Sequence, residues 1–492
     1  METLRYDATS ASSIFEYSKG LIDKTLYEAV KQINPDIKKE DLQIKGKGSL
    51  GQLVEKFYYG YDLNSNPEAD FAAAGVELKT TPLKETKTEL AIKERLVADM
   101  IDFCAIVNVD FEDSPFYKKC LLMLILFYLH KSGVDKCDLT FIYSVLWKLQ
   151  GKDLQIIKHD YEVIINKIKE GKAHELSEGD TMYLGACRKG QKGDPLRKQP
   201  FNEIGAPKRA FSLKMTYMRT VLDYAVASGQ KAVSNTDIVS PSMQLVTAEE
   251  LKTKSFEQII IDRLMAYKDY DYKQIAKAFD IEIKASEKSK YDHATRTILH
   301  KGMAKIENAE EIRKAGIIVK NVRVQKNGNI KESMSFKNVD YNEICETDNF
   351  YDSEWYDLVT SKYLFVVYRE TDIPQDNASD WEGEKGRYVL DRVIFWTMPE
   401  ADMTNAEDYW QNIRENVLAD HHYTEQGNTY WKLADHKDFH VRPKGRDSSD
   451  LQKSPISNRD IRKVCYWFNG EYVKEIIRND YGVEWDNIYK TK

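Results

Sequence analysis

Ala74-Gly75-Val76-Glu77-Leu78-Lys79 returns in the second half of the chain as Ala315-Gly316-Ile317-Ile318-Val319-Lys320. Other fragments follow it in the same order. Trp147, Asp153, Asp160 and Tyr161 are echoed by Trp396, Asp402, Asp408 and Tyr409. Lys189-Gly190, Leu196, Lys198 and Pro200 are echoed by Lys444-Gly445, Leu451, Lys453 and Pro455. The offset drifts slowly around half of the 492 residues, so the sequence reads as one domain written twice. The expected division is a first domain over 1–227, a linker over 228–254 rich in Ser, Thr, Gln and Val, and a second domain over 255–492.

Each half mixes helical and strand periods. Ser10–Ile33 predicts a helix capped by Ser12 or Ser13, with Ile14, Leu21, Leu26 and Val30 at helical spacing. Gly51–Tyr59 predicts a short helix and Gly75–Pro82 a strand. The apolar run Leu121–Leu129 predicts a fully buried strand. Lys152–Gly171 predicts a helix carrying Ile156, Ile157, Tyr161, Ile164, Ile165 and Ile168 on one stripe. The class is therefore α/β: two duplicated domains, each a mixed sheet flanked by helices.

Composition removes several alternatives. With 42% hydrophobic and 31% charged residues the chain can fill a core in each domain, which excludes disorder as the main state. Leu121–Leu129 has nine residues where a spanning helix needs about 20, so no membrane segment is expected. The first residues show no secretory signal. Six scattered cysteines fit neither a zinc site nor a disulfide framework and point to a reducing cytoplasm. His421-His422 and His293 with His300 lack the neighbours of a metal site, and no phosphate-binding P-loop run occurs.

The chemistry concentrates at Asp70–Lys79. On a strand Glu77 and Lys79 share one face, while Val76 and Leu78 point inward. Asp70, at the mouth of the preceding turn, can meet that face. Two carboxylates beside a lysine suit Mg²⁺-assisted attack on a phosphodiester. Taken alone, Glu-x-Lys is a common pattern that usually marks a solvated strand face.

Asp70 with Gly75–Lys79 and Thr80-Thr81-Pro82-Leu83 resembles the PD-(D/E)xK core of the MutH-like nucleases. More narrowly, Lys93–Val97, Ala173–Gly179 and Arg209–Lys214 resemble the restriction endonucleases of the Sau-3A-I type, and so do Lys331–Phe336 and His440–Lys444. The resemblance implies Asp70 and Glu77 as metal ligands and Lys79 as the catalytic lysine. It implies Glu55 as an accessory acid and Lys119 as a second active-site lysine, with Lys118 a close competitor. It also implies cleavage of double-stranded DNA at GATC on the 5′ side of the G, with Mg²⁺ as cofactor. A MutH-like strand-nicking repair enzyme and a DNA-binding protein without cleavage are the alternatives.

Cys187–Arg219 holds nine Lys and Arg against two acids in a chain of net charge −7. With Gly190, Gly193, Pro195 and Pro200 interleaved it reads as a loop. Arg188, Lys189, Lys198, Arg209 and Lys214 are its candidate DNA contacts. The echo over Lys437–Lys463 has eight basic residues against four acids and offers Arg442, Lys444 and Lys453. By spacing, the second copy matches Asp70 with Glu311, Glu77 with Ile318 and Lys79 with Lys320. A hydrocarbon at the second ligand position predicts a domain that cuts nothing, holds DNA as an effector and helps the chain dimerise across two bound sites.

Overall fold

The computed structural model describes residues 5–44, 50–61, 68–86, 89–190, 193–235, 243–374, 381, 384, 386–423, 425, 427–447 and 449–489. They form two compact units: residues 1–255 with 309–316, and residues 256–308 with 317–492.

The first unit contributes strands β1 (Glu77–Glu85), β2 (Leu90–Ile92), β3 (Leu96–Met100), β4 (Leu122–Leu129), β5 (Phe141–Lys148), β6 (Leu184–Arg188), β7 (Arg197–Gln199), β8 (Asn202–Ala206), β9 (Arg209–Leu213) and β10 (Ala232–Ser234). The main sheet has the order β10-β5-β4-β1-β2, with β1 parallel to β4 and β4 antiparallel to β5. A three-stranded antiparallel sheet, β3-β9-β6, and the hairpin β7-β8 accompany it. Met123 to Phe127 of β4 are at most 1% exposed, as an apolar run in the middle of a sheet requires. The helix Gly151–Lys169 buries Ile156, Ile157, Tyr161, Ile164, Ile165 and Ile168, the stripe expected of it.

The second unit contributes β11 (Ile318–Val324), β12 (Met334–Asn338), β13 (Tyr363–Thr371), β14 (Arg387–Trp396), β15 (Phe439–Pro443), β16 (Leu451–Lys453), β17 (Asp460–Arg462) and β18 (Val464–Phe468). Its sheets repeat the first unit's pattern. β11 lies parallel to β13 and β13 antiparallel to β14, beside an antiparallel β12-β18-β15 sheet and a β16-β17 hairpin. The echoes found in the sequence have structural roles. Gly75 and Gly316 both sit at left-handed backbone, φ +65° and +66°, which only glycine adopts without strain. Asp153 accepts the Tyr217 hydroxyl at 2.9 Å, and Asp402 accepts the Tyr472 hydroxyl at 2.7 Å.

Three local expectations are corrected. Ser10–Ile33 is two helices, Ala11–Ser18 and Leu26–Ile33, because Asp23 takes a left-handed backbone (φ +60°) between them; Ser10 and Thr25 are the caps. Gly51–Tyr59 becomes the short helix Leu50–Leu53 running into a π-helical turn, Val54–Tyr58. The linker expected over 228–254 contains β10, which extends the main sheet along β5, and the helical turn Glu250–Lys252. Residues 236–242 of that linker lie outside the described residues. Among the described residues no helix is long and apolar enough to cross a membrane, and all six cysteines are free thiols.

Candidate active site

Before β1 the chain closes a tight loop. The Phe71 N–H donates to the Val76 carbonyl at 2.9 Å, and Gly75 makes the turn. The loop returns Asp70 to the first residues of the strand. There the Leu78 N–H donates to Asp70 Oδ2 at 2.9 Å, and the Asp70 N–H donates to Glu77 Oε2 at 3.2 Å. Lys79 Nζ reaches Glu77 Oε1 at 2.6 Å. Val76 and Leu78 are buried as their parity predicts, and Glu77 itself is only 4% exposed.

A buried carboxylate next to another is costly, and the titration of the cluster registers it. Burial, with the Glu77 charge, pushes the Asp70 carboxyl up to about 6 against the pull of the Leu78 N–H, Lys79 and Lys119. Glu55 stands on the π-helical turn Val54–Tyr58. Its burial, with the charges of Asp70 and Glu77, raises its carboxyl to about 7, and Lys79 opposes. Burial alone would lower the Lys79 ammonium; the Glu77 carboxylate outweighs it and holds the group above its ordinary value. Three acids thus crowd one lysine. Asp70 and Glu77 are the hard oxygen donors at the strand end, and among the described residues no group of three or more His, Cys, Asp or Glu side chains is placed to hold a metal ion.

Lys119 ends the helix Pro115–Cys120 just before β4 and lies 3.8 Å from Asp99 Oδ1 on β3. Lys118 faces Asp113 at 4.0 Å on the exposed side. The structure therefore brings Asp70, Glu77, Lys79, Glu55 and Lys119 together. Asp99 was not legible in the sequence, because it reaches Lys119 only through the tertiary fold. Cys120 is completely buried, and its burial pushes the thiol up to about 12.

The basic stretch is not the single loop expected. Its Gly and Pro residues mark turns between β6, the β7-β8 hairpin, β9 and the helix Met215–Ala227. Arg209 is 1% exposed and donates to the Ala186 carbonyl at 3.2 Å. Lys214 is 8% exposed and donates to the Thr181 carbonyl at 2.6 Å. Both are corrected from groove-facing cations to buried donors that tie β9 to its surroundings. Arg188 and Lys189 are half-buried, Arg197 and Lys198 are exposed on the hairpin, and Lys192 lies outside the described residues.

In the second unit Arg442 is exposed and stacks on Trp467 at 4.9 Å, and Lys453 pairs with Asp460 at 2.9 Å. Lys444 donates to Ser335 Oγ and the Phe336 carbonyl at 3.2 and 3.1 Å. Glu311 is corrected. It belongs to the first unit, where Lys152 Nζ (3.0 Å) and the N–H groups of Leu245 and Val246 hold its carboxylate, so it is no vestigial ligand beside Lys320.

A family model described as the DNA mismatch repair enzyme MutH matches residues 59–160, the span holding β1, β4 and the carboxylate cluster. MutH mismatch repair proteins of Shewanella amazonensis and Actinobacillus pleuropneumoniae are 27% and 26% identical over 37% and 36% of this chain, covering 80% and 76% of their own lengths. The type II restriction enzyme Sau3AI of Staphylococcus aureus is 30% identical over 478 residues, 88% of this chain and 93% of that protein. The MutH proteins align with little more than a third of the chain, whereas the restriction enzyme runs through both units. The chain belongs to the MutH-like type II restriction endonucleases of the Sau3AI kind and is a site-specific deoxyribonuclease.

Proposed function

We propose that the chain hydrolyses double-stranded DNA at GATC, 5′ of the G, in a Mg²⁺-dependent reaction at the first unit, and that the second unit is a non-cleaving DNA-binding effector. The observation that carries the first part is the meeting of Asp70, Glu77 and Lys79 around one strand end, with Glu55 and Lys119 beside them. Asp70 and Glu77 would hold Mg²⁺, which when bound lowers the pKa of its water and offsets charge at phosphorus. Lys79, kept charged by Glu77, orients the attacking water or stabilises the added negative charge. Glu55, whose carboxyl titrates near neutrality, takes up a proton beside that water. Lys119 reinforces the positive side of the centre and lowers the cost of a phosphate approaching three acids.

Duplex binding rests on Arg188, Lys189 and Lys198, the assigned cations that remain accessible around β6 and the hairpin. The effector reading rests on the second unit's repeat of the sheets with Ile318 in place of Glu77, and on Arg442, Lys444 and Lys453. The test is a supercoiled plasmid incubated with the protein and either Mg²⁺ or EDTA. Linear fragments ending at GATC, formed with Mg²⁺ and absent with EDTA, are expected. Open circles alone would replace this reading with strand nicking, and intact supercoils in both arms with binding without cleavage.

A further inference from the structure

The second unit keeps the frame of the catalytic centre with its charge reversed. In β1, Glu77 lies opposite Met123 and Lys79 opposite Ile125; in β11, Ile318 lies opposite Tyr363 and Lys320 opposite Phe365. The helix Pro115–Cys120 ends in Lys119-Cys120, whereas its counterpart Glu354–Val359 ends in Leu358-Val359. Lys320 has thus kept its place while the carboxylate that neutralised Lys79 has become a hydrocarbon.

Lys320 Nζ donates to the Ser335 carbonyl at 2.8 Å, a neutral acceptor. Lys444, just past the end of β15, puts its Nζ on the hydroxyl of the same Ser335 and on the next carbonyl, Phe336. Arg442, opposite Cys465 in the β15-β18 ladder, acts electrostatically on that thiol together with Lys444, and Cys465 in turn acts on Lys320. Lys320 and Lys444 therefore meet at Ser335 and Phe336 of β12, and Arg442, stacked on Trp467, lies across the β15-β18 ladder from Cys465. Among the described residues neither Lys320 nor Lys444 has an ion-pair partner; the acid that acts on Lys320 is Glu307, at longer range. Burial and the Lys444 charge push the Lys320 ammonium down to about 8, with Glu307 opposing. Lys320 is half-buried beside the exposed Lys444 and Arg442; like charges at such a place repel one another, and an oxyanion between them converts that repulsion into charge-assisted hydrogen bonds.

We infer that Lys320, Lys444 and Arg442 form a phosphate-binding site in the second unit, the charge-reversed counterpart of the carboxylate centre in the first. The ligand is a phosphate oxyanion, from a DNA backbone or from free phosphate; the DNA source rests on the effector reading above. Held between the two ammonium groups, the anion offsets their repulsion and favours the charged form of Lys320.

Lysine labelling reads this directly. The intact protein in EDTA is treated with a limiting amount of acetic anhydride near pH 8, and acetylation of Lys320 and Lys444 is measured by mass spectrometry against the exposed Lys268. A GATC duplex, inorganic phosphate at matched phosphate concentration, and sodium chloride at matched ionic strength form the three arms. Several-fold slower labelling of both lysines with duplex, but not with sodium chloride, is expected; Lys320→Met should remove the protection of Lys444 and Lys320→Arg should keep it. Protection by the duplex alone identifies a backbone phosphodiester, and protection by inorganic phosphate as well identifies a general oxyanion site. A duplex that shifts in a gel yet protects neither lysine, with no protection by phosphate, overturns the inference and leaves DNA binding standing. Failure of both the gel shift and the phosphate arm overturns it together with the effector reading.

Discussion

At residue scale the Asp70 N–H donates to the Glu77 carboxylate and the Leu78 N–H donates to the Asp70 carboxylate, so each carboxylate is positioned by the backbone beside the other. Replacing either with Ala should abolish cleavage while leaving duplex binding intact or tighter, since negative charge near phosphate is removed. Cleavage and gel shift on one oligonucleotide check this, and an active Glu77→Ala enzyme would refute the assignment. The same crowding predicts a pH dependence of stability. Asp70 and Glu55 titrate higher in the folded chain than when unfolded, so the folded state holds extra protons between about pH 4 and about 7. Raising the pH through that window removes stability, opposite to the usual behaviour of carboxylates in ion pairs. Asp70→Asn should therefore stabilise the protein in EDTA at pH 8 by roughly 1–2 kcal/mol, with a smaller gain at pH 5. Adding Mg²⁺ should stabilise the parent more at pH 8 than at pH 5 and the variant less than the parent. Urea unfolding at the two pH values measures all of these.

Strands and hairpins decide which cations are available. The sequence placed nine basic residues in one stretch, but strand β9 buries Arg209 and the turn after it buries Lys214. The hairpin leaves Arg197 and Lys198 in solvent because its inward position, Gln199, is spent on the Ala173 N–H at 2.8 Å and the Ile204 carbonyl at 2.5 Å. Arg197→Ala with Lys198→Ala should weaken duplex binding across all sequences and lower the salt slope by about 2. Arg209→Ala should instead cost about 1–3 kcal/mol of stability, seen as a lower urea midpoint, because it leaves a buried acceptor unmatched. Strand β11 supports a further expectation. Introducing Ile318→Glu into a Glu77→Ala enzyme should not restore cleavage, because Glu311 is held in the first unit and Leu358-Val359 replace Lys119-Cys120. Any recovered nicking would show that the second centre was one substitution from activity.

For the whole molecule, the proposed reading of one catalytic unit and one non-cleaving unit constrains how two strands are cut. Two chains must meet on one palindrome, or one chain must nick twice. The effector reading predicts that a plasmid with two GATC sites is cleaved several-fold faster per site than one with a single site, and that Arg442→Ala with Lys444→Ala removes the difference. Equal rates on both substrates would reduce the second unit to a structural role.

The sequence by itself determined the features that depend on near neighbours and on period. The duplication, the α/β class, the buried β4 run and the stripe of Gly151–Lys169 were legible, because parity and helical spacing decide which side chains share a face; the Asp70–Glu77–Lys79 set was singled out by its resemblance to the MutH-like core. Tertiary structure decided what depends on partners distant in the chain. Asp99 reaches Lys119 only because β3 belongs to a separate sheet, and Glu55 joins the acids only because a π-helical turn carries it there. Glu311 sits at the right spacing for a ligand, yet Lys152, Leu245 and Val246 claim it. A local pattern states which groups are present near a strand; burial and long-range hydrogen bonds determine which of them remain free to act.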